Sequence, residues 1–167
     1  MTVMLWRLDA DDIAGALEIA RYAMTWGLTM PTGRRPTPYL LAEEVALAAQ
    51  RLLAAKQPVE LANLLDTIAL TERADMPDIV RAKLHKITGY VLRDANQLPE
   101  ALAHLQRAIQ LERTIGVKKD IEQLERQLRP KPEPAPKTKT TKPRTRKPAA
   151  KPAARRGRPP KAAKAAG

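Results

Sequence analysis

Residues 9–24, DADDIAGALEIARYAM, align without a gap to residues 94–109, DANQLPEALAHLQRAI. Asp9/Asp94, Ala10/Ala95, Ala16/Ala101, Leu17/Leu102 and Ala23/Ala108 are identical, and Ile13/Leu98 and Met24/Ile109 are apolar in both. Each segment opens on residues that favour turns and helix starts, then places apolar or small residues three and four apart. The pattern predicts a turn and an amphipathic helix, twice. Alanines at these spacings let paired helices approach closely. Gly89, Ala101, Leu105 and Ala108 stand at spacings resembling a tetratricopeptide helical hairpin. Nothing between the two copies repeats cleanly, so the expected fold is all-α, packed helical hairpins without a regular solenoid.

The sequence around these segments reads the same way. There is no Phe and no sustained alternation of period two. A first helix is predicted over residues 2 to 8, with Asp9, Asp11 and Asp12 as turn and cap. The next carries Ile13, Ala16, Leu17, Ala20 and Met24 on one stripe and ends at Gly27 and Pro31. Thr37 and Pro38 read as a cap with proline at the first helical position. Leu41, Val45, Ala48, Ala49 and Leu52 form the following apolar face. Pro58 precedes a helix near residues 59 to 72, and Asp75 and Pro77 open another with Val80, Leu84, Ile87 and Val91 inward. Helices near 98 to 114 and 117 to 129 follow, the last with Val117, Ile121, Leu124 and Leu128 on one face. Trp6, Tyr22, Trp26, Tyr39 and Tyr90 are expected in the core or at helix contacts, being too scattered for a base-stacking platform.

Charge divides the chain. Residues 1 to 129 hold 17 Lys and Arg against 17 Asp and Glu, whereas residues 130 to 167 hold 13 Lys and Arg against Glu133 alone. The whole net charge of +12 therefore lies in the last segment. That segment has nine of the 15 prolines and no Ile, Leu, Val, Met or aromatic residue. It cannot offset its ordering entropy by burial and is expected to be a disordered basic tail, 130–167, behind a helical body, 1–129. A neutral body with a basic tail points to nucleic acid as partner. Within the tail, Arg155-Arg156-Gly157-Arg158-Pro159-Pro160-Lys161 contains the R-G-R-P core of an AT-hook. Glycine lets the backbone lie on the floor of a narrow A·T minor groove, with Arg156 and Arg158 extended along it and Pro159 holding the exit extended. Lys137, Lys139, Lys142, Arg144, Arg146, Lys147 and Lys151 suit sequence-independent phosphate contacts.

Other chemistry finds little support. The absence of cysteine excludes disulfides and Cys-based zinc sites and fits a reducing compartment, the cytoplasm. No apolar run approaches a membrane span. No phosphate-binding glycine loop is present, so no ATP hydrolysis and no cofactor are expected. A nuclease would need carboxylates converging on a divalent metal. Asp9, Asp11 and Asp12, with Glu18, read instead as helix-capping and dipole-compensating residues. Glu43, Glu44, Glu122 and Glu125 read as exposed faces. His85 and His104 are each expected to stand alone on a helix, with no Cys or second His nearby, and suit packing or surface roles rather than ligation.

The runs MTVMLWRLD, DIAGALEIARYAMTWGLTMP, EEVALAA, ADMPDIVRAKLHKITGYVLRD, ALAHLQRAIQL and GVKKDIEQLERQLRPKPEP together resemble the small terminase subunits of P2-like tailed bacteriophages. The resemblance covers nearly the whole chain, basic tail included. It implies recognition of a cohesive-end packaging site on double-stranded viral DNA, assembly with a large terminase subunit that supplies the ATPase, homo-oligomerisation, and direction of the cut that makes genome ends. It also places Met1 inside the family's conserved region, so the family's further N-terminal segment is expected to be missing. A nucleoid-type structural protein with a linker-histone-like tail is the alternative from another class.

Overall fold

The computed structural model describes residues 2–29 and 35–129. Among these there are seven helices and no strand: α1 (Thr2–Asp9), α2 (Ile13–Thr25), α3 (Thr37–Ala54), α4 (Leu61–Thr71), α5 (Asp78–Asp94), α6 (Leu98–Leu111) and α7 (Lys118–Leu128). The chain is all-α, and all seven helices belong to one compact unit. The tail, 130–167, lies outside the described residues.

The stops between helices have a local cause. After α1, α2, α3 and α5 one residue turns left-handed: Asp11 (φ 59°), Gly27 (φ 61°), Lys56 (φ 56°) and Asn96 (φ 61°). Each stop closes two orphan carbonyls. Asp12 N–H donates to Arg7 O (2.8 Å) and Asp11 N–H to Leu8 O (3.1 Å); Gln97 N–H donates to Leu92 O and Asn96 N–H to Arg93 O (both 2.9 Å). This is the Schellman arrangement, which normally prefers glycine at the left-handed position. Asp and Asn tolerate that region; Lys56 occupies it without such help.

Cations on neighbouring helices cover further carbonyls. Arg51 of α3 donates to Leu8 O (2.7 Å) and to the Asp11 carboxylate (3.0 Å). The Arg81 guanidinium of α5 donates to Thr71 O (3.3 Å), Glu72 O (3.0 Å) and Ala74 O, closing the end of α4. Lys86 Nζ donates to Ile115 O (2.9 Å) in the α6–α7 connection. Positive charge at a helix C-terminus is stabilising, and here it comes from another helix.

Helix α5 is central. Val80, Leu84, Ile87 and Val91 join Met4, Leu8, Ile13, Leu17, Leu41, Val45, Leu52 and Leu64 in one core, while Leu92 joins Ala101, Leu105, Val117 and Leu124 in a second. The closest pairing is α5 with α6. Gly89 explains the approach: a Cβ there would lie 2.7 Å from Leu105 Cδ2, 2.8 Å from Leu105 Cγ and 3.3 Å from Ala101 O. Buried Thr67, Thr71 and Thr88 donate to carbonyls four residues back, and no buried side-chain polar atom among the described residues lacks a partner.

Four expectations need correction. Thr37 is not the cap of α3; Pro36 is, and Thr37 lies buried in the first turn with its hydroxyl donating to Leu28 O (2.6 Å). Trp6, Tyr22 and Trp26 are not core residues: they are 65%, 62% and 67% exposed. They lie off the buried stripes of α1 and α2, which Met4, Leu8, Ala16 and Ala20 fill. Glu43 and Glu44 are only partly exposed, Glu43 pairing with Arg35. The predicted ends of α4 and α6 ran long: Arg81 caps α4 at Thr71, and α6 ends at Leu111, where Glu112 turns extended.

Candidate functional site

The acidic corner after α1 is built as a cap. Asp12 accepts from Gly15 N–H (2.9 Å) with one carboxylate oxygen and pairs with Arg7 through the other (2.5 Å). The Gly15 N–H and then the Arg7 guanidinium hold this carboxyl below its ordinary value. Asp11 faces Arg51. Burial raises the pKa of Glu44, with the Glu43 and Asp9 carboxylates adding to the shift. Among the described residues no three His, Asp or Glu side chains gather where they could hold a metal ion. Asp12 is thus engaged with a helix N-terminus and Arg7, and Asp11 with Arg51.

The histidines, separate in sequence, meet in space. His85 Nδ1 and His104 Nδ1 are 3.0 Å apart across the α5–α6 interface, with ring centroids 5.2 Å apart. One ring must carry its proton on Nδ1 and the other on Nε2 for this bond to form. Burial, then His104, Arg107 and Arg81, pull the His85 pKa down to about 4; burial lowers His104 as well. Both rings are therefore neutral near pH 7. The expectation that neither His has a histidine neighbour is corrected. The signal was present: the two lie nine or ten residues to either side of Ala95, so an antiparallel hairpin brings them level.

A groove of about 570 Å³ runs between α3 and α5. Leu47, Leu53 and Ile87 supply apolar lining; Lys83, Lys86 and Arg93 supply charge. Tyr90 lies between Lys86 (Nζ 5.9 Å from the ring centroid) and Arg93 (Cζ 5.0 Å). Its hydroxyl donates to Asp120 Oδ2 (3.0 Å), and burial followed by that carboxylate pushes its pKa up to about 12. These cations have no role legible in the sequence: Lys83, Lys86 and Arg93 lie along α5, and only the packing of α3 beside α5 makes a groove next to them.

Every residue named from sequence as DNA-binding, namely Lys137, Lys139, Lys142, Arg144, Arg146, Lys147, Lys151, Arg155, Arg156, Gly157, Arg158, Pro159 and Lys161, lies outside the described residues. No helix among the described residues is long and apolar enough to cross a membrane.

Comparison with known proteins addresses the chain as a whole. The phage small terminase subunit family matches residues 1–79. The chain is 62% identical over 164 residues to the protein named "Terminase, endonuclease subunit" of Escherichia phage P2, covering 98% of this chain and 66% of that protein. It thus spans about two thirds of that relative's length. No solved structure matches. The run-by-run resemblance seen in the sequence, the helical architecture and these matches agree: the chain belongs to the phage small terminase subunit family.

Proposed function

We propose that this chain binds double-stranded viral DNA at its cohesive-end packaging site and directs cleavage and packaging together with a large terminase subunit, in the cytoplasm of a bacterial host. The single observation that carries the DNA-binding part is the placement of all the net charge, +12, in residues 130–167, around the R-G-R-P sequence at Arg156–Pro159. The family and the P2 relative supply the packaging context. In this reading the helical body makes protein contacts, including those of a homo-oligomer. The tail holds DNA: Arg155, Arg156, Arg158 and Lys161 at the minor groove, and Lys142, Arg144, Arg146 and Lys147 on phosphates. No catalytic role is assigned to Asp9, Asp11 or Asp12. Cutting is assigned to the assembly with the large subunit.

Deleting residues 130–167 tests this reading. Duplex affinity should collapse, and the log–log salt slope should fall by about 0.9 for each phosphate contact removed, while helical content persists. A truncated chain that binds duplex as tightly as the full one would place the DNA contact in the body. Arg156→Ala with Arg158→Ala should erode preference for A·T-rich duplex, whereas Lys139→Ala with Lys151→Ala should weaken A·T- and G·C-rich duplex alike. The tail composition also suits a nucleoid-type structural protein. Equal affinity for cohesive-end and unrelated duplex, with or without large subunit, would favour that second reading.

A further inference from the structure

We propose that the groove between α3 and α5 docks an acidic amphipathic helix of a partner protein. This goes beyond the DNA-binding role and does not depend on it. The groove is shaped for a helix. Its α3 wall, Ala46 to Ala54, and its α5 wall, Lys83 to Asp94, run about 12 Å and about 16 Å at helical rise, room for side chains from two to three turns. The lining holds an exposed leucine, Leu47, beside half-buried Leu53 and buried Ile87 and Ala46, with half-buried Ile115 contributed by the α6–α7 connection. Apolar side chains at i, i+3/i+4 and i+7 of an entering helix would cover this strip.

The charges select the occupant. At one end Arg93 is already engaged by Asp94 (3.1 Å) and lies 3.9 Å from Asp120. At the other, Lys83 and Lys86 stand one turn apart with no carboxylate partner among the described residues. Lys86 is held in place by its bond to Ile115 O, which uses one of three ammonium protons. A cationic end beside an apolar strip complements a helix bearing carboxylates next to leucines. The chain's own tail, residues 130–167, has the same sign of charge as these lysines and so does not complement them. Duplex DNA could use the lysines but would leave the apolar strip uncovered.

The test uses the full chain and a fluorescent peptide of roughly five helical turns, with leucine at the inward positions and glutamate elsewhere, one leucine replaced by a photo-crosslinking residue. At about 0.15 M salt, crosslinks should map to Leu47–Leu53 and Lys83–Tyr90, and Lys83→Glu with Lys86→Glu should weaken binding about tenfold or more. Because Lys86 also braces the α6–α7 connection, Lys83→Glu alone and Leu47→Asp alone, both at exposed positions, provide the parallel measurement and should each weaken binding. Crosslinks confined to residues 130–167, undiminished affinity in both single variants, or equal affinity for a peptide with lysine in place of glutamate would overturn the proposal. So would self-association abolished by Leu47→Asp without peptide crosslinking, which would give the groove to a second copy. Loss of duplex affinity with unchanged peptide binding in the Lys83→Glu variant would give it to DNA.

Discussion

The α1–α2 corner and the α5–α6 corner use one backbone solution with two kinds of packing. At both, the helix ends on Asp, the second residue beyond is left-handed, and the same pair of N–H groups returns to the same pair of carbonyls. Ile13 and Leu98 then begin the next helix at matching positions. The interfaces diverge from there. Across α5–α6, Gly89 admits Leu105 and the His85–His104 pair adds a polar contact. In the first hairpin Ala20 stands where the second has Leu105, and Ile19 where it has His104. α1 has only two fully buried side chains, and exposed Trp6, Tyr22 and Trp26 leave large aromatic area in solvent. The first corner relies on polar capping, through Asp12, Arg7 and Arg51; the second relies on close apolar packing. A shared turn thus fixes where two helices reverse, and the residues one and two turns further on set how tightly they join.

The largest effect that could break this contrast is at Leu105. Leu105→Ala should cost about 2–5 kcal/mol in chemical denaturation, because a wholly buried side chain would leave a cavity against Gly89. Ala20→Gly at the matched position should cost only about 1 kcal/mol, mostly helix propensity. Equal losses would show that the two interfaces are equivalent after all.

The histidine pair gives the second hairpin an acid sensitivity between pH 6.5 and about 4, above the range in which the Asp12 cap of the first is lost. The His85 pKa is lowered from 6.5 to about 4 in the folded chain, so the unfolded chain takes up its proton first. Stability should be full above pH 6.5 and decline as pH falls toward about 4. In His85→Gln with His104→Gln that decline should flatten. Thermal melts across this range read it; an unchanged slope in the double variant would remove the pair from the account.

Capping should separate the corners in the other direction. Asp12→Ala should cost about 1 kcal/mol. Gln97→Ala should cost far less, since Gln97 makes no side-chain cap bond. The Asp12 contribution is present above the ordinary carboxyl value of 3.8 and is lost as pH falls through its lower folded value, so wild type and Asp12→Ala should converge in strong acid. Failure to converge would mean that the cap works through something other than the carboxylate.

The smallest difference lies at the left-handed residues. Asn96→Gly should stabilise by a few tenths of a kcal/mol, up to about 1 kcal/mol, by removing a strained Cβ. Asp11→Gly should gain less or lose, because it also removes the carboxylate that Arg51 contacts. Similar gains at both sites would show that the Arg51 contact adds nothing at the first corner.

Much of this architecture was legible in the residues alone, because its causes are local. Apolar residues three and four apart marked the faces of α2, α3, α5 and α7, the Asp9, Asp11 and Asp12 group marked the turn and cap before α2, and the 9–24/94–109 alignment pointed to a similar turn and helix in both places. The family could be read from long runs, and the concentration of charge after residue 129 is a property of the sequence itself. Tertiary structure decided what depends on neighbours distant in the chain. It placed Trp6, Tyr22 and Trp26 in solvent, since periodicity says which face a ring occupies but not whether another helix covers that face. It set His85 against His104, and it sent Arg51, Arg81 and Lys86 to carbonyls of other elements. It also aligned Lys83 and Lys86 with Leu47 along one groove. Local propensity acts over a few residues and can be read directly; burial, charge pairing and clefts arise only when separate helices pack.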